Sequence, residues 1–267
     1  MTQAELSFLI PLIELASSLA DTEDVERPSM GLGEIAPDSA LARDDEGLSG
    51  LWVSMVVNNS IAATLDHVVT LRDIVIRDAG TVTLNAPWTL LRAAVEASAV
   101  GVWVMESDER KTRRARALRV WHYDFSQRQK WEDDTKRTPP EGGKSGAARA
   151  NEVLALATGL GIRPTQVTTQ LNYADAVADA GAVIGWSRTE ARARWREASG
   201  FAHGRTWPLL TLANPSDAQV IRGGVGVHLT LDENRLRPLA ELTHDLLHWA
   251  LVRYSELARP ESVNDGT

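Results

Sequence analysis

Apolar side chains recur every three or four positions along most of this chain, and that period predicts α-helices rather than strands. The longest such pattern covers 47–79, where one helix is predicted with its apolar side facing a core. Other patterns predict a first helix over 3–20, a third over 87–106 and a fourth over 107–136. The positions predicted to face inward in the longest helix are Leu51, Met55, Ile61, Leu65, Val68 and Val69, and those in the fourth are Ala117, Leu118, Trp121 and Phe125.

A helix-stopping segment then interrupts the pattern. Residues 137–146 read RTPPEGGKSG, a mixture of Pro, Gly and charged residues that predicts a loop. Two shorter helices are predicted beyond it, in AARANEVLALATGLGI and YADAVADAGAVIG. Ser187 and Glu190 have the three-residue spacing of a capping box and predict a helix that begins there and carries RTEARARWREASGFAHG.

The period changes near the C-terminus. Two short segments, WPLLTL and GVHLTL, are separated by Pro, Asp and Gly residues and predict a β-hairpin. In the second segment apolar and other residues alternate, as in a strand, before a last helix in RPLAELTHDLLHWALVRYSELA. The predicted fold class is mainly α, a helical bundle with one small β-hairpin near the C-terminus.

The composition of the chain excludes several kinds of site and argues against one class of protein. The chain has 267 residues with 43% hydrophobic content, enough to bury a full core. It has no cysteine, which excludes disulfides, thiolate zinc sites and a cysteine nucleophile. The net charge of −8 argues against a general nucleic-acid coat protein.

The acidic charge is concentrated at the start of the chain. Residues 1–50 contain 11 acidic and 2 basic side chains. We therefore predict an N-terminal helix and an irregular acidic connecting segment over 1–46, and a single helical domain over 47–262. The start lacks the basic leader of a secretion signal, and no segment has the roughly 20 uninterrupted apolar residues of a membrane span. We expect a cytoplasmic protein with no membrane partner.

One predicted helix places several cationic groups on one face. If residues 188–203 form a continuous helix, the steps of four, four, three and four define a shared face, here named the arginine stripe: Arg188, Arg192, Arg196, Ser199 and His203. In one interpretation the stripe is solvated or paired with acids, and His203 ends a helix whose dipole favours a cation there. In the other, guanidinium groups bind an anion and histidine moves a proton, as phosphodiester chemistry requires.

The segment REASGFAHG has Arg196 and His203 with six residues between them. This spacing resembles the signature of HEPN domains, in which four to six residues separate an arginine from a histidine. HEPN domains are a family of helical bundles, many of which are metal-independent endoribonucleases. The segment LLRAAVEASAVGVWVM, with Arg92 and Glu96, precedes the basic ERKTRRARAL and resembles a second element of bacterial HEPN-like proteins.

This resemblance covers roughly 85–205 and implies a function. It implies a homodimer that cleaves RNA without a metal or other cofactor, as an endoribonuclease or a ribonuclease-related toxin or defence protein. Arg196 would be the phosphate ligand and His203 the general acid or base. The supporting substrate contacts would be Arg192, Ser199, Arg205, Arg92 and Glu96.

Two pairs of residues have simpler interpretations as well. Arg92 and Glu96, four residues apart, also fit an ordinary helical salt bridge. His244 and His248 have the one-turn spacing of a two-histidine metal site. Zinc proteases with this spacing carry Glu after the first histidine, whereas this chain has Asp245, and no third ligand is evident. No metal site is therefore predicted.

A different class of function fits the same stripe. The chain could be a non-catalytic helical interaction or scaffold protein whose arginines meet an acidic protein surface. That surface would belong to a partner, to the acidic first 50 residues of the chain or to a second copy.

Overall fold

The computed structural model describes residues 7–20, 32, 34–77 and 83–260. These residues form mainly α-helices with one antiparallel two-stranded hairpin near the C-terminus, which confirms the predicted fold class. In chain order the elements are α1 (Ile10–Ala20), α2 (Ala40–Asp45), α3 (Val53–Arg77), α4 (Ala86–Met105), α5 (Arg110–Thr135), α6 (Gly146–Gly159), α7 (Pro164–Thr168), α8 (Tyr173–Val183), α9 (Arg188–Ala202), α10 (Thr206–Leu212), β1 (Asn214–Ile221), β2 (Gly224–Thr230) and α11 (Glu233–Ala258).

The described residues fall into two compact units, and each unit is built from three separate parts of the chain. The first unit consists of the described residues within 1–32, 60–100 and 174–251, and the second consists of those within 33–59, 101–173 and 252–267. The sequence predicts a boundary at residue 46 between an N-terminal segment and a single helical domain. That boundary stays a prediction.

Small residues let the helices of the first unit approach closely. A Cβ atom added at Gly181 in α8 would lie 2.5 Å from the Cβ atom of Ala191 in α9. A Cβ atom added at Gly200 in α9 would lie 2.9 Å from side-chain atoms of both Trp207 and Pro208 in α10. Glycine inside a helix normally weakens it, so both positions exchange helix propensity for close packing. The two contacts hold α9 between α8 and α10.

Apolar burial supplies the rest of the core of the first unit. Trp88 and Phe201 are almost fully buried and stack with ring centroids 4.5 Å apart, which joins α4 to the end of α9. The described helices include one, α4, with the length and apolar composition to cross a membrane, but 61% of its apolar stretch is buried, as in a core helix.

The second unit contains a buried ion pair. Asp44 of α2 accepts hydrogen bonds from Nε and Nη2 of Arg113 in α5, at 2.6 and 2.9 Å. Burial raises the pKa of the Asp44 carboxyl above its usual range, and Arg113 opposes that change by stabilising the charged form.

The predicted irregular segment, which extended to residue 46, is wrong for residues 40–45. These residues form the short helix α2, which is capped by Ser39. Residues 21–31 and 33 lie outside the described residues.

The hairpin differs from its prediction in one strand. The segment WPLLTL lies within α10, and β1 is formed by the following residues NPSDAQVI. Two features favour the helix α10 over a strand. A proline fits the first turn of a helix, and Pro208 packs against Gly200 of α9. The alternating residues of β2 do not form a buried face, since Val225 and Val227 are exposed. The short helix α7 was not predicted.

Candidate functional site

Helix α9 begins and ends where its sequence indicates. The Ser187 hydroxyl accepts a hydrogen bond from the Glu190 backbone N–H at 3.1 Å, which confirms the predicted capping position. The helix continues through Gly200 to Ala202, and His203 is the C-cap residue, with its backbone N–H donating to the Ser199 carbonyl at 3.1 Å. The predicted stripe therefore lies on one continuous helix.

The first half of the arginine stripe is paired with acidic groups. Arg188 forms an ion pair with Asp179, and Arg192 forms one with Asp175 at 2.8 Å. Both acids belong to α8, and all four side chains are partly solvent-exposed. Arg192, a predicted substrate contact, is thus held by a carboxylate in this structure.

The second half of the stripe is open to solvent. Arg196 and His203 are exposed, Ser199 is half-buried, and Arg205 is exposed at the N-cap position of α10. The structure gives these four side chains no hydrogen bond or ion pair with any residue it describes. Arg196 and His203 are separated by two helical turns and face a similar direction. Their guanidinium and imidazole groups are available to a ligand or to another chain.

The Arg92–Glu96 pair joins α4 to α9 through a tryptophan. Arg92 and Glu96 form an ion pair at 2.9 Å, and Trp195 Nε1 donates a hydrogen bond to Glu96 Oε1 at 2.6 Å. The Arg92 guanidinium also lies over the Trp195 ring, 5.9 Å from its centroid. All three side chains are half-buried. We name this group the Trp195 cluster.

The Trp195 cluster and the open half of the stripe lie in different directions from α9. Trp195 and Arg196 are consecutive, and consecutive helical side chains point about 100° apart. Arg92 and Glu96 are therefore not brought onto the stripe, and they contact each other and Trp195 instead. Sequence reasoning missed the tryptophan, although an indole N–H on the inward side of a charged helix needs an acceptor.

A second polar cluster lies on α11. Asp245 accepts a hydrogen bond from Trp186 Nε1 at 3.1 Å, and its other carboxylate oxygen lies 3.1 Å from Nδ1 of His244. The rings of His244 and His248 are parallel, with centroids 6.0 Å apart. Within the described ranges, no group of three or more His, Asp or Glu side chains is placed to hold a metal ion. The Asp245 carboxylate thus contacts both an indole N–H and an imidazole nitrogen.

Comparisons with known proteins add no relative. No protein-family model matches this chain, and no significant match occurs among curated proteins or among solved structures.

Proposed function

We propose that this chain is a HEPN-like, metal-independent endoribonuclease, or a ribonuclease-related toxin or defence protein, that acts through Arg196 and His203. The observation that carries the proposal is the open half of the stripe. A guanidinium and an imidazole on one face of α9 are exposed and have no partner among the described residues. Arginine binds phosphate bidentately, and histidine changes charge near neutral pH.

The chemistry assigns a role to each group. His203 accepts the proton of an RNA 2′-hydroxyl, whose oxygen forms a bond to the adjacent phosphorus. Arg196 stabilises the charge of the resulting phosphorane. The bond from phosphorus to the 5′ oxygen then breaks, and a protonated histidine of a second copy supplies the proton to that oxygen. The products are a 2′,3′-cyclic phosphate and a 5′-hydroxyl end, and the active protein is a cytoplasmic homodimer.

The test uses the purified full chain with several structured RNAs and EDTA. The wild type should produce fragments that end in 2′,3′-cyclic phosphate, identified by mass spectrometry. His203→Ala should reduce the rate about 100-fold or more, because general acid–base catalysis contributes about that much. Arg188→Ala, a change in the acid-paired half of the stripe, should cleave like the wild type. Absence of wild-type cleavage on every RNA would overturn the proposal.

The hairpin favours a second candidate function, a non-catalytic interaction protein. Four apolar side chains of the hairpin are exposed, and Val220 is 91% exposed. The others are Ile221, Val225 and Val227. A two-stranded ribbon also leaves a hydrogen-bonding edge on each strand.

We propose a second copy of this chain as the hairpin's occupant. The two fully charged residues of the hairpin, Asp217 and Arg222, have opposite signs, so a two-fold pair of hairpins is attractive when each Asp217 lies beside the partner's Arg222. Light scattering after size exclusion should show a dimer for the wild type and a monomer for Val220→Asp. The control Ile76→Asp changes an exposed apolar residue of α3 and should remain a dimer. A dimer that survives Val220→Asp would contradict this role of the hairpin.

A further inference from the structure

A cleft in the first unit is large enough to hold a small molecule. It lies between the start of the described chain and α11 and has a volume of about 420 Å³. This volume is within the range of about 300–1,000 Å³ that small ligands occupy. One wall is apolar and includes the buried side chains of Phe8 and Leu12 together with Pro11. Most of the other lining residues come from α11 and are polar.

The polar wall presents charges of both signs. Arg237 and Glu241 line the cleft four residues apart on α11, a spacing at which helical residues often pair. Neither side chain forms an ion pair with any residue in the described part of the chain. The Arg237 guanidinium instead lies over the Phe8 ring, 5.1 Å from its centroid. A cation and an anion are therefore both available at one cleft.

An oriented imidazole completes the polar wall. His244 and Asp245 also line the cleft, with Nδ1 of His244 3.1 Å from the Asp245 carboxylate. Trp186 Nε1 donates to the other oxygen of that carboxylate at 3.1 Å, which fixes its direction. When Nδ1 carries the proton, Nε2 of His244 is left as a hydrogen-bond acceptor for a donor in the cleft.

The balance of charge selects the ligand class. With neutral histidine, the wall contains one cation, Arg237, and two carboxylates, Glu241 and Asp245. A phosphate would place further negative charge beside these carboxylates, and an amine would face Arg237. A molecule with both a carboxylate and an ammonium group meets opposite charges at both ends. The apolar wall further favours an apolar substituent.

We propose that this cleft binds a small zwitterion of the α-amino-acid class with an apolar side chain. The carboxylate of the ligand binds Arg237, its ammonium group faces Glu241 and His244, and its side chain packs on Phe8 and Leu12. This site is separate from the arginine stripe and does not depend on the proposed ribonuclease activity.

Isothermal titration calorimetry on the full chain tests the charge requirements. L-Leucine and L-phenylalanine should bind the wild type. N-Acetyl-L-leucine, which lacks the ammonium group, and L-leucinamide, which lacks the carboxylate, should each bind about tenfold more weakly or worse. Inorganic phosphate should not bind. No binding of either amino acid at millimolar concentration, or equal binding of N-acetyl-L-leucine, would overturn the proposal.

Two variants test which residue binds the carboxylate of the ligand and which one faces its ammonium group. Arg237→Gln, which keeps most of the side-chain stem on Phe8, should weaken L-leucine about tenfold or more. Glu241→Gln should weaken L-leucine but improve N-acetyl-L-leucine, because it removes a negative charge beside an anionic ligand. The control Arg235→Ala removes an exposed cation two residues away on the same helix and should bind L-leucine like the wild type. Unchanged affinity in both Arg237→Gln and Glu241→Gln would disprove the assignment.

Discussion

The two halves of the arginine stripe share one helix face but have different surroundings. In the first half, Arg188 and Arg192 meet Asp179 and Asp175 of α8. In the second half, Arg196 and His203 have no side-chain partner among the described residues. A repeat of cations along one helix face is therefore not one functional feature. Its neutralised part holds two helices together, and its open part is available for binding.

The length of α8 explains where the pairing stops. Asp175 and Asp179 are four residues apart, as are Arg188 and Arg192, so the two helices match turn by turn. The next position of the same series, one turn before Asp175, is Leu171, which is apolar and precedes the first residue of α8. Arg196 thus lacks an acid from that series.

The largest difference between the two halves is expected when one arginine is removed from each. If the proposed activity is right, Arg196→Ala should lower the rate of RNA cleavage about 100-fold or more, since it removes a donor to the charged transition state. Arg192→Ala should lower it less than about threefold, because Asp175 already occupies that guanidinium. Cleavage rates in EDTA measure both. Equal losses would show that the two halves act together.

The next largest effect concerns how α9 is held. Gly200→Ala should lower the free energy of unfolding by about 1–2 kcal/mol, because the added methyl group would meet Trp207 and Pro208 at 2.9 Å. Gly159→Ala in α6 has nothing within 4 Å and should be neutral or slightly stabilising. Urea denaturation compares the two. A neutral Gly200→Ala would mean that the Trp207 side chain moves aside at no cost.

Trp195→Phe tests the cluster that lies beside the open half. It should lower the free energy of unfolding by about 1–2 kcal/mol, because Glu96 loses the indole donor while the apolar contact is largely kept. Trp131→Phe, at a half-exposed tryptophan of α5, serves as the matched control and should change stability by less than about 0.5 kcal/mol. Similar values for the two variants would remove the structural role assigned to the Trp195 cluster.

The smallest expected change in stability comes from removing the acidic partner of Arg192. Asp175→Asn should lower the free energy of unfolding by less than about 1 kcal/mol, because the pair with Arg192 is partly exposed. The same change frees Arg192, so RNA affinity should rise and fall more steeply with salt concentration. Fluorescence anisotropy with labelled RNA at several salt concentrations measures this. An unchanged salt dependence would argue that the stripe does not contact phosphate.

Local sequence patterns predicted most of the helices. They failed where contacts with distant residues determine the local structure. The start of α9 follows from Ser187, because an N-cap hydroxyl accepts a hydrogen bond from a backbone N–H of the first turn, here that of Glu190. The segment WPLLTL looked like a strand, yet contact of Trp207 and Pro208 with Gly200 accompanies a helix there. The short helix over 40–45 was missed as well, although Asp44 is buried against Arg113 of a distant segment.

The periodic placement of apolar residues, caps and glycines was enough to predict a mainly helical protein with Arg196 and His203 on a shared helix face. Which charged groups find partners depends on the tertiary structure, because most of these contacts need a second helix within a few ångströms. Arg192 meets Asp175, Glu96 meets Trp195, and Asp245 meets Trp186. Helical periodicity is a local property of the backbone, whereas electrostatic pairing and cavity shape arise from residues far apart in the chain.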